Sequence, residues 1–279
     1  LNIVTTFYPV YEFTKQVAGD TANVELLIGA GTEPHDYEPS PKAVAKIQDA
    51  DAFVYENENM ETWVPTVMKS LTDSKVKEIK ATKDMELLPI EDEHDHEGEE
   101  HHDEHEFDPH VWLDPMNVAK EVDAVVEAFS KADPTNAKYY EANGKAYKEK
   151  LQALHAKYEE FGKTQHDKHL VVSHMAFGYL ANAYGFEQLG IMGVSPDAEP
   201  TPERMADIVA FIKEHNVKAI FSEELVSPKL ANAIAAETGV KVYVLNPAEG
   251  LTEEQAQKNV TYLDIMEENL KTLKEALAH

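Results

Sequence analysis

The chain has 279 residues, with 25 basic against 52 acidic side chains and a formal charge of −27 when histidine is neutral. A field this negative repels phosphate backbones and anionic lipid, which excludes recognition of nucleic acid or a membrane surface through a basic patch. The absence of cysteine removes disulfides, thiolate nucleophiles, iron–sulfur clusters and every cysteine-based zinc motif, so any metal must be held by histidine and carboxylate.

The chain enters an apolar, strand-like stretch at once, and a leader, if one existed, is expected to have been removed. No apolar run approaches the roughly 18 to 20 residues that cross a bilayer. Short β-branched runs at 3–6, 24–28, 52–55 and 76–79 predict strands, separated by helical stretches such as 41–48. The segment 91–106, EDEHDHEGEEHHDEHE, then interrupts the pattern: ten acidic residues, five histidines and Gly98, with no apolar side chain. It cannot bury a face and is expected to be a surface loop. Without its ten acids the remainder still carries a charge of −17.

A helical region follows at 115–163. Asp133 and Pro134 predict an N-cap and a first helical residue, and the periodic Tyr147, Leu151, Leu154, Tyr158 and Phe161 carry one helix to a stop at Gly162. About 27 residues at 1.5 Å each span about 40 Å, longer than one small lobe, so this helix is expected to be a rigid strut. Beyond it, strands predicted at 169–173, 188–194, 219–221 and 240–245 alternate with helices such as 202–215. Alternation of this kind implies βαβ units and parallel sheets. The expected architecture is α/β in two lobes, each a parallel sheet flanked by helices and joined by one long helix, with an N-terminal lobe at 1–114, a linking region at 115–163 and a C-terminal lobe at 164–279.

The two halves repeat one layout. Each has a strand, a polar proline-rich loop, a proline-started helix and a second strand, and both loops end in an acid, a proline, a hydroxyl residue and a proline (38–41 and 199–202). Residue identity between them is low, and duplicated lobes are the economical reading.

Four metal-ligating side chains stand in loops that follow an apolar strand or precede a helix: His35 in GTEPHDYEPSP, His110 in FDPHVWLDP, His174 at the end of LVVSH, and Glu249 after VYVLNPA. In open parallel sheets the loops beyond the carboxyl ends of the strands line the ligand crevice. Taken singly, His35 and Glu249 are indistinguishable from solvated side chains, and the case lies in the set. Three imidazoles and a carboxylate suit tetrahedral Zn²⁺, and four protein ligands would close the shell against an activated water. Glu223 and Glu224 of IFSEE, also at a strand end, compete for the carboxylate position.

GTEPHDYEPSP, the acidic His-rich segment, DPHVWLDP, VVSHMAFGYLANAYG and VLNPAEGLT, in this order, resemble the zinc-specific solute-binding proteins of ABC transporters, the cluster A-I group. The resemblance covers essentially the whole chain. It implies an extracellular, lipid-anchored, non-catalytic monomer that holds zinc in the cleft between its lobes and delivers it to a membrane permease. By the same resemblance the ligands fall on His35, His110, His174 and Glu249, which ranks Glu249 above Glu223 and Glu224. Manganese-type relatives carry a carboxylate where this chain has His174, so the histidine favours zinc. The family's lipidated cysteine is absent, and some members continue into a second, C-terminal zinc-binding module that this sequence lacks.

Two other readings compete with this one. A zinc hydrolase would use three histidines and a bound water, but no HExxH occurs, and the H-x-x-E-H at 101–105 lies in a segment with no face to pack. A manganese-binding relative is the second. No residue pattern supports a role in adhesion, and GAGTEP lacks the spacing of a nucleotide loop. His94, His96, His101, His102 and His105 are expected to form a weak accessory zinc collector. His155, His166, His169, His215 and His279 are assigned no role.

Overall fold

The computed structural model describes residues 1–90 and 107–278. Its first half alternates β1 (Asn2–Thr5), α1 (Tyr8–Ala18), β2 (Asn23–Leu26), α2 (Pro41–Asp49), β3 (Ala52–Tyr55), α3 (Val64–Ser70) and β4 (Lys77–Lys80). Two helices follow, α4 (Pro115–Ala132) and α5 (Ala137–Thr164). The second half repeats the alternation with β5 (His169–Val172), α6 (Gly178–Tyr184), β6 (Glu187–Gly190), α7 (Pro202–Glu214), β7 (Ala219–Ser222), α8 (Lys229–Thr238), β8 (Lys241–Val244), α9 (Glu253–Gln257) and α10 (Tyr262–Ala276).

The strands form two parallel four-stranded sheets with orders β2-β1-β3-β4 and β6-β5-β7-β8. The two orders are the same permutation, so the halves share a topology as well as a sequence layout. The repeated proline loops behave alike: Ser40 Oγ accepts the backbone N–H of Ala43 at the start of α2, and Thr201 Oγ1 that of Arg204 at the start of α7. A hydroxyl N-cap followed by proline is the favoured way to begin a helix. Observed strand limits lie within one or two residues of those predicted, except that β6 ends at Gly190 rather than 194. There the chain leaves the ladder, and Met192 N–H bonds the Ser173 carbonyl while Gly193 accepts from Met175.

The long helix departs from expectation at both ends. Pro134–Asn136 is a separate 3₁₀ turn, and the Asp133 carboxylate, rather than capping backbone, accepts from Asn136 Nδ2 and Tyr140 Oη. Gly162 does not stop the helix, which runs to Thr164. A side chain at 162 would meet the Tyr184 carbonyl at 2.5 Å, so the glycine is required for close packing on α6.

Helix α5 touches both halves. Near its start Asn143 donates to the Val17 carbonyl of α1, and further on Tyr158 donates to the Met266 carbonyl of α10. One apolar core runs through both sheets, containing Ile3 and Val54 from the first, Leu170 and Phe221 from the second, and Phe13, Val122, Tyr147, Leu151 and Tyr262 between them. Smaller clusters pack the far faces, around Phe53 and Ile47 in one sheet and Ile208 and Ile220 in the other. No helix among the described residues is long and apolar enough to cross a membrane.

Candidate metal centre

His35 lies in the loop after β2, His174 two residues past β5, and Glu249 in the loop after β8, while His110 follows the acidic segment and opens a 3₁₀ turn at Val111–Leu113. The strand ends converge, and the four side chains meet with their ligand atoms within 4.8 Å of one another. His110 and His174 are fully buried, and Glu249 is nearly so. Oε1 of Glu249 is 2.9 Å from His35 Nε2, 2.8 Å from His110 Nε2 and 3.0 Å from His174 Nε2. His110 Nε2 is 3.3 Å from Nε2 of both other histidines. Donors about 2.0–2.1 Å from a tetrahedral Zn²⁺ stand about 3.3 Å from each other. The nitrogen spacing matches that edge, with the carboxylate slightly closer.

Each buried imidazole is oriented from behind. Asp108 Oδ1 lies 2.8 Å from His110 Nδ1 and also accepts the His110 backbone N–H at 3.0 Å. Glu223 Oε2 lies 2.5 Å from His174 Nδ1. A carboxylate on Nδ1 keeps the proton there and leaves the Nε2 lone pair for a metal. Glu223 therefore stands behind His174 rather than among the ligand atoms, and Glu224 is turned away, accepting from Gln255 Nε2. On the His35 side, Glu33 accepts the backbone N–H groups of His35 and Asp36 and fixes the loop.

The Glu249 loop is also braced. Asn269 of α10 accepts the Asn246 N–H and donates to the Asn246 carbonyl, and Asn246 Oδ1 accepts from Ala248 N–H. Ala248 takes a left-handed conformation at φ 56° directly before Glu249, a geometry that costs a residue with a side chain about 1–3 kcal/mol and persists only where its surroundings impose it. From the first half, the Trp112 indole N–H reaches the Pro247 carbonyl at 2.7 Å.

The charges in this pocket shift one another. Burial alone would lower the pKa of His110, but hydrogen bonds from Asp108 and Glu249 outweigh it and the pKa is raised. His174 is raised further, well above its ordinary value, because Glu223 and Glu249 overcome its burial. Burial opposes ionisation of Glu249, yet the facing histidines hold it well below the usual carboxylate range. A site that stabilises positive charge on its imidazoles is also one suited to receive a cation in place of protons.

All four predicted ligand positions come together, and Trp112, whose ring is 5.2 Å from that of His110, is buried against them. His94, His96, His101, His102 and His105 lie outside the described residues, as does the H-x-x-E-H match. Sequence reasoning missed Asp108, although its place two residues before His110 is the spacing of a local side-chain turn. It placed Glu223 at the right strand end but weighed it as a ligand.

Together the two matched parallel sheets, the shared core and the buried three-histidine, one-carboxylate cluster define a two-lobed α/β protein with a candidate cation site where the strand ends of the two sheets converge. Comparison with known proteins bears out this class. The model of the ZnuA family, zinc-uptake complex component A, matches residues 3–276, and the chain belongs to that family. It is 57% identical over 279 residues to the zinc-binding lipoprotein AdcA of Streptococcus pneumoniae serotype 4, covering 99% of this chain and 55% of the relative. It is 47% identical to the high-affinity zinc uptake system protein ZnuA of Bacillus subtilis, covering 99% and 88% respectively. The chain thus spans about half the length of its AdcA relatives. The crystal structure of the Zn(II)-bound ZnuA-like domain of S. pneumoniae AdcA aligns with TM-score 0.86 and 54% identity over 100% of this chain and 99% of that one. The laminin-binding protein Lmb of Streptococcus agalactiae, described as an adhesin with metal-transporting activity, aligns with TM-score 0.88 and 37% identity, covering 99% of each chain.

Proposed function

We propose that this protein captures Zn²⁺ through His35, His110, His174 and Glu249 and delivers it to an ABC permease for uptake. The observation that carries the reading is the convergence of three Nε2 atoms and one carboxylate oxygen at the spacing of a tetrahedral zinc shell. Zinc is the cargo here and not a catalytic cofactor. Four protein donors leave no position for an activated water, which speaks against the hydrolase. Three imidazoles with one carboxylate favour zinc over manganese, a harder cation that prefers oxygen. The relatives named for zinc binding and zinc uptake support the same reading.

The name lipoprotein carried by AdcA supports a place on the outer face of the membrane, facing a permease. The division into lobes at 1–114 and 164–279 with a linking region at 115–163 belongs to this reading. So does the accessory role of His94, His96, His101, His102 and His105. Segment 91–106 is flanked by Pro89 and Phe107, which form an antiparallel bridge, and Phe107 is three residues from His110. The described residues on either side of the segment thus meet near the site, which supports a role for its histidines in supplying zinc to the cleft.

The test is a zinc competition titration against a strong chromophoric chelator. The parent chain should hold one tight equivalent, and His174→Ala and Glu249→Gln should each weaken it. Deleting 91–106 should remove weak equivalents and leave the tight one. A tight site indifferent to His174→Ala would overturn the ligand set, and hydrolytic turnover proportional to bound zinc would overturn the transport reading.

A further inference from the structure

Leu88 and Asp108 stand opposite one another, one residue outward from the Pro89–Phe107 bridge. In the hydrogen-bonded kind of antiparallel pair, each residue gives its N–H to the other's carbonyl. Here only one of the two bonds is direct, from the Asp108 N–H to the Leu88 carbonyl at 2.8 Å. The other passes through the hydroxyl of Tyr179, which is 2.9 Å from the Leu88 nitrogen and 2.6 Å from the Asp108 carbonyl oxygen. An amide N–H can only donate and a carbonyl can only accept, so the phenol oxygen accepts from Leu88 and its one proton goes to Asp108. Tyr179 is buried, and burial keeps the phenol protonated by raising its pKa well above the ordinary value.

Asp108 is therefore held by α6, a helix of the second half. Beside Tyr179, Gly178 lies against the carboxylate: a Cβ at 178 would stand 2.6 Å from Asp108 Oδ2 and 3.1 Å from Gln188 Nε2. The other oxygen of that carboxylate, Oδ1, accepts the His110 backbone N–H and lies 2.8 Å from His110 Nδ1. Helix α6 begins four residues after His174. One short stretch of chain, 174–179, thus supplies one ligand and aims another.

We propose, on the reading that the cleft holds zinc, that Tyr179 and Gly178 are positioning residues for His110. The hydroxyl sets the backbone of Asp108, and the glycine leaves its carboxylate room to hold the Nδ1 proton, so that Nε2 faces the metal. Both act through Asp108. A tyrosine that served stability alone would loosen the whole cleft on losing its hydroxyl. One that positions Asp108 changes His110 and leaves His174, whose carboxylate partner Glu223 follows β7, as it was.

Proton NMR of the metal-free chain, in buffer alkaline enough to keep the imidazoles neutral, reads the Nδ1–H protons of His110 and His174 whatever metal the cleft takes. In Tyr179→Phe the His110 proton should move upfield and exchange faster with solvent, while the His174 proton keeps its place. Gly178→Ala should do the same by crowding the carboxylate, although by helix propensity alone it would strengthen α6. In a chelator competition, Tyr179→Phe should bind zinc about tenfold more weakly, the low end of the range for groups behind a metal ligand. That loss should largely vanish when the change is made in Asp108→Ala, because the two residues act in series. A parental His110 proton in either variant, equal movement of the His110 and His174 protons, or affinity losses that add in the double variant would each overturn the proposal. His174→Ala is the control on the cleft itself: a tight site indifferent to it would sink the zinc reading and leave the NMR result standing.

Discussion

His174 and Glu223 form a buried pair in which the carboxylate Oε2 lies 2.5 Å from the imidazole Nδ1, on the side of the ring away from Glu249. The pair exists because β5 and β7 are neighbours, so the residues just past their ends are adjacent. Partners of this kind behind a metal ligand are worth 10- to 100-fold in metal affinity. Glu223→Ala should weaken zinc binding by about that factor. Glu223→Gln, whose amide oxygen can still accept from Nδ1–H, should lose less. Competition titration of both variants, with Asp108→Asn as the matching change behind His110, checks this. Equal affinity for Glu223→Ala and the parent would mean that the ring is held by packing alone.

Zinc affinity should fall on acidification, beginning above the free-imidazole value of about 6.5. The sign follows from the protons displaced. Burial lowers the pKa values of His110 and His174, but their carboxylate neighbours more than reverse this, so the metal-free site holds protons to a higher pH than free imidazole does. Zinc binds the neutral rings and must release those protons. With both histidines protonated, the apparent affinity should drop toward 100-fold per pH unit. Titrations between pH 8 and pH 6 measure the slope directly, and an affinity flat down to pH 6.5 would contradict the assignment of raised imidazoles.

The sequence made some of this legible and hid the rest, for physical reasons. Strands and proline-capped helices are local, so the β-branched runs and the two Pro-x-Pro loops marked both lobes and their shared layout. Three of the ligand positions were readable because each stood in a loop beyond a strand of a parallel sheet, where such folds place their crevices, and His110 because its loop runs directly into a helix. Asp108 is local to His110, but a turn-forming aspartate in a loop is too common to single out. Glu223 was found at the right strand end with the wrong role, since which face of an imidazole a carboxylate meets depends on strand order. Gly162 was misread as a stop because the Tyr184 backbone that demands a glycine there comes from a different helix.

Stability should fall as pH rises from about 4.5 to 8, the opposite of the usual acid sensitivity. Glu56, Glu61 and Glu121 are buried together, and both carboxylate oxygens of Glu56 and of Glu121 lack a hydrogen-bond partner among the described residues. Burial pushes Glu121 up to about 8 and Glu61 to about 7, and burial together with Glu121 and Glu61 holds Glu56 well above the usual carboxylate range. Raised folded-state values mean that the native state binds more protons than the unfolded chain between the two pKa values. The stability therefore declines across that window as pH increases. Glu121→Gln removes one of these ionisations without changing the side chain's shape. It should raise the melting temperature at pH 8 by a few degrees, at roughly 2–4 °C per kcal/mol, and leave it nearly unchanged at pH 5. Calorimetric scans of both chains across the range check this, and an equal effect at both pH values would mean that packing, not ionisation, is responsible.

Trp112→Phe tests whether the two halves are latched beside the metal. Trp112 sits in the central core edge-on to Phe7, receives the Tyr262 hydroxyl on its carbonyl, and donates its indole N–H to the Pro247 carbonyl two residues before Glu249. Phenylalanine keeps the aromatic contact and removes the donor, leaving a buried carbonyl unpaired at a cost of about 1–3 kcal/mol. The metal-free protein should be destabilised by about 1–3 kcal/mol and so unfold at a lower temperature. Because the same bond holds the Ala248–Glu249 turn, zinc dissociation into excess chelator should also accelerate, by about tenfold for each 1.4 kcal/mol lost from the bound state. The four ligands are untouched, so the one-to-one stoichiometry should be retained. A lowered melting temperature with an unchanged zinc off-rate would place the indole bond in the core alone. An accelerated off-rate would identify it as the link through which closure of the two halves holds Glu249 on the metal.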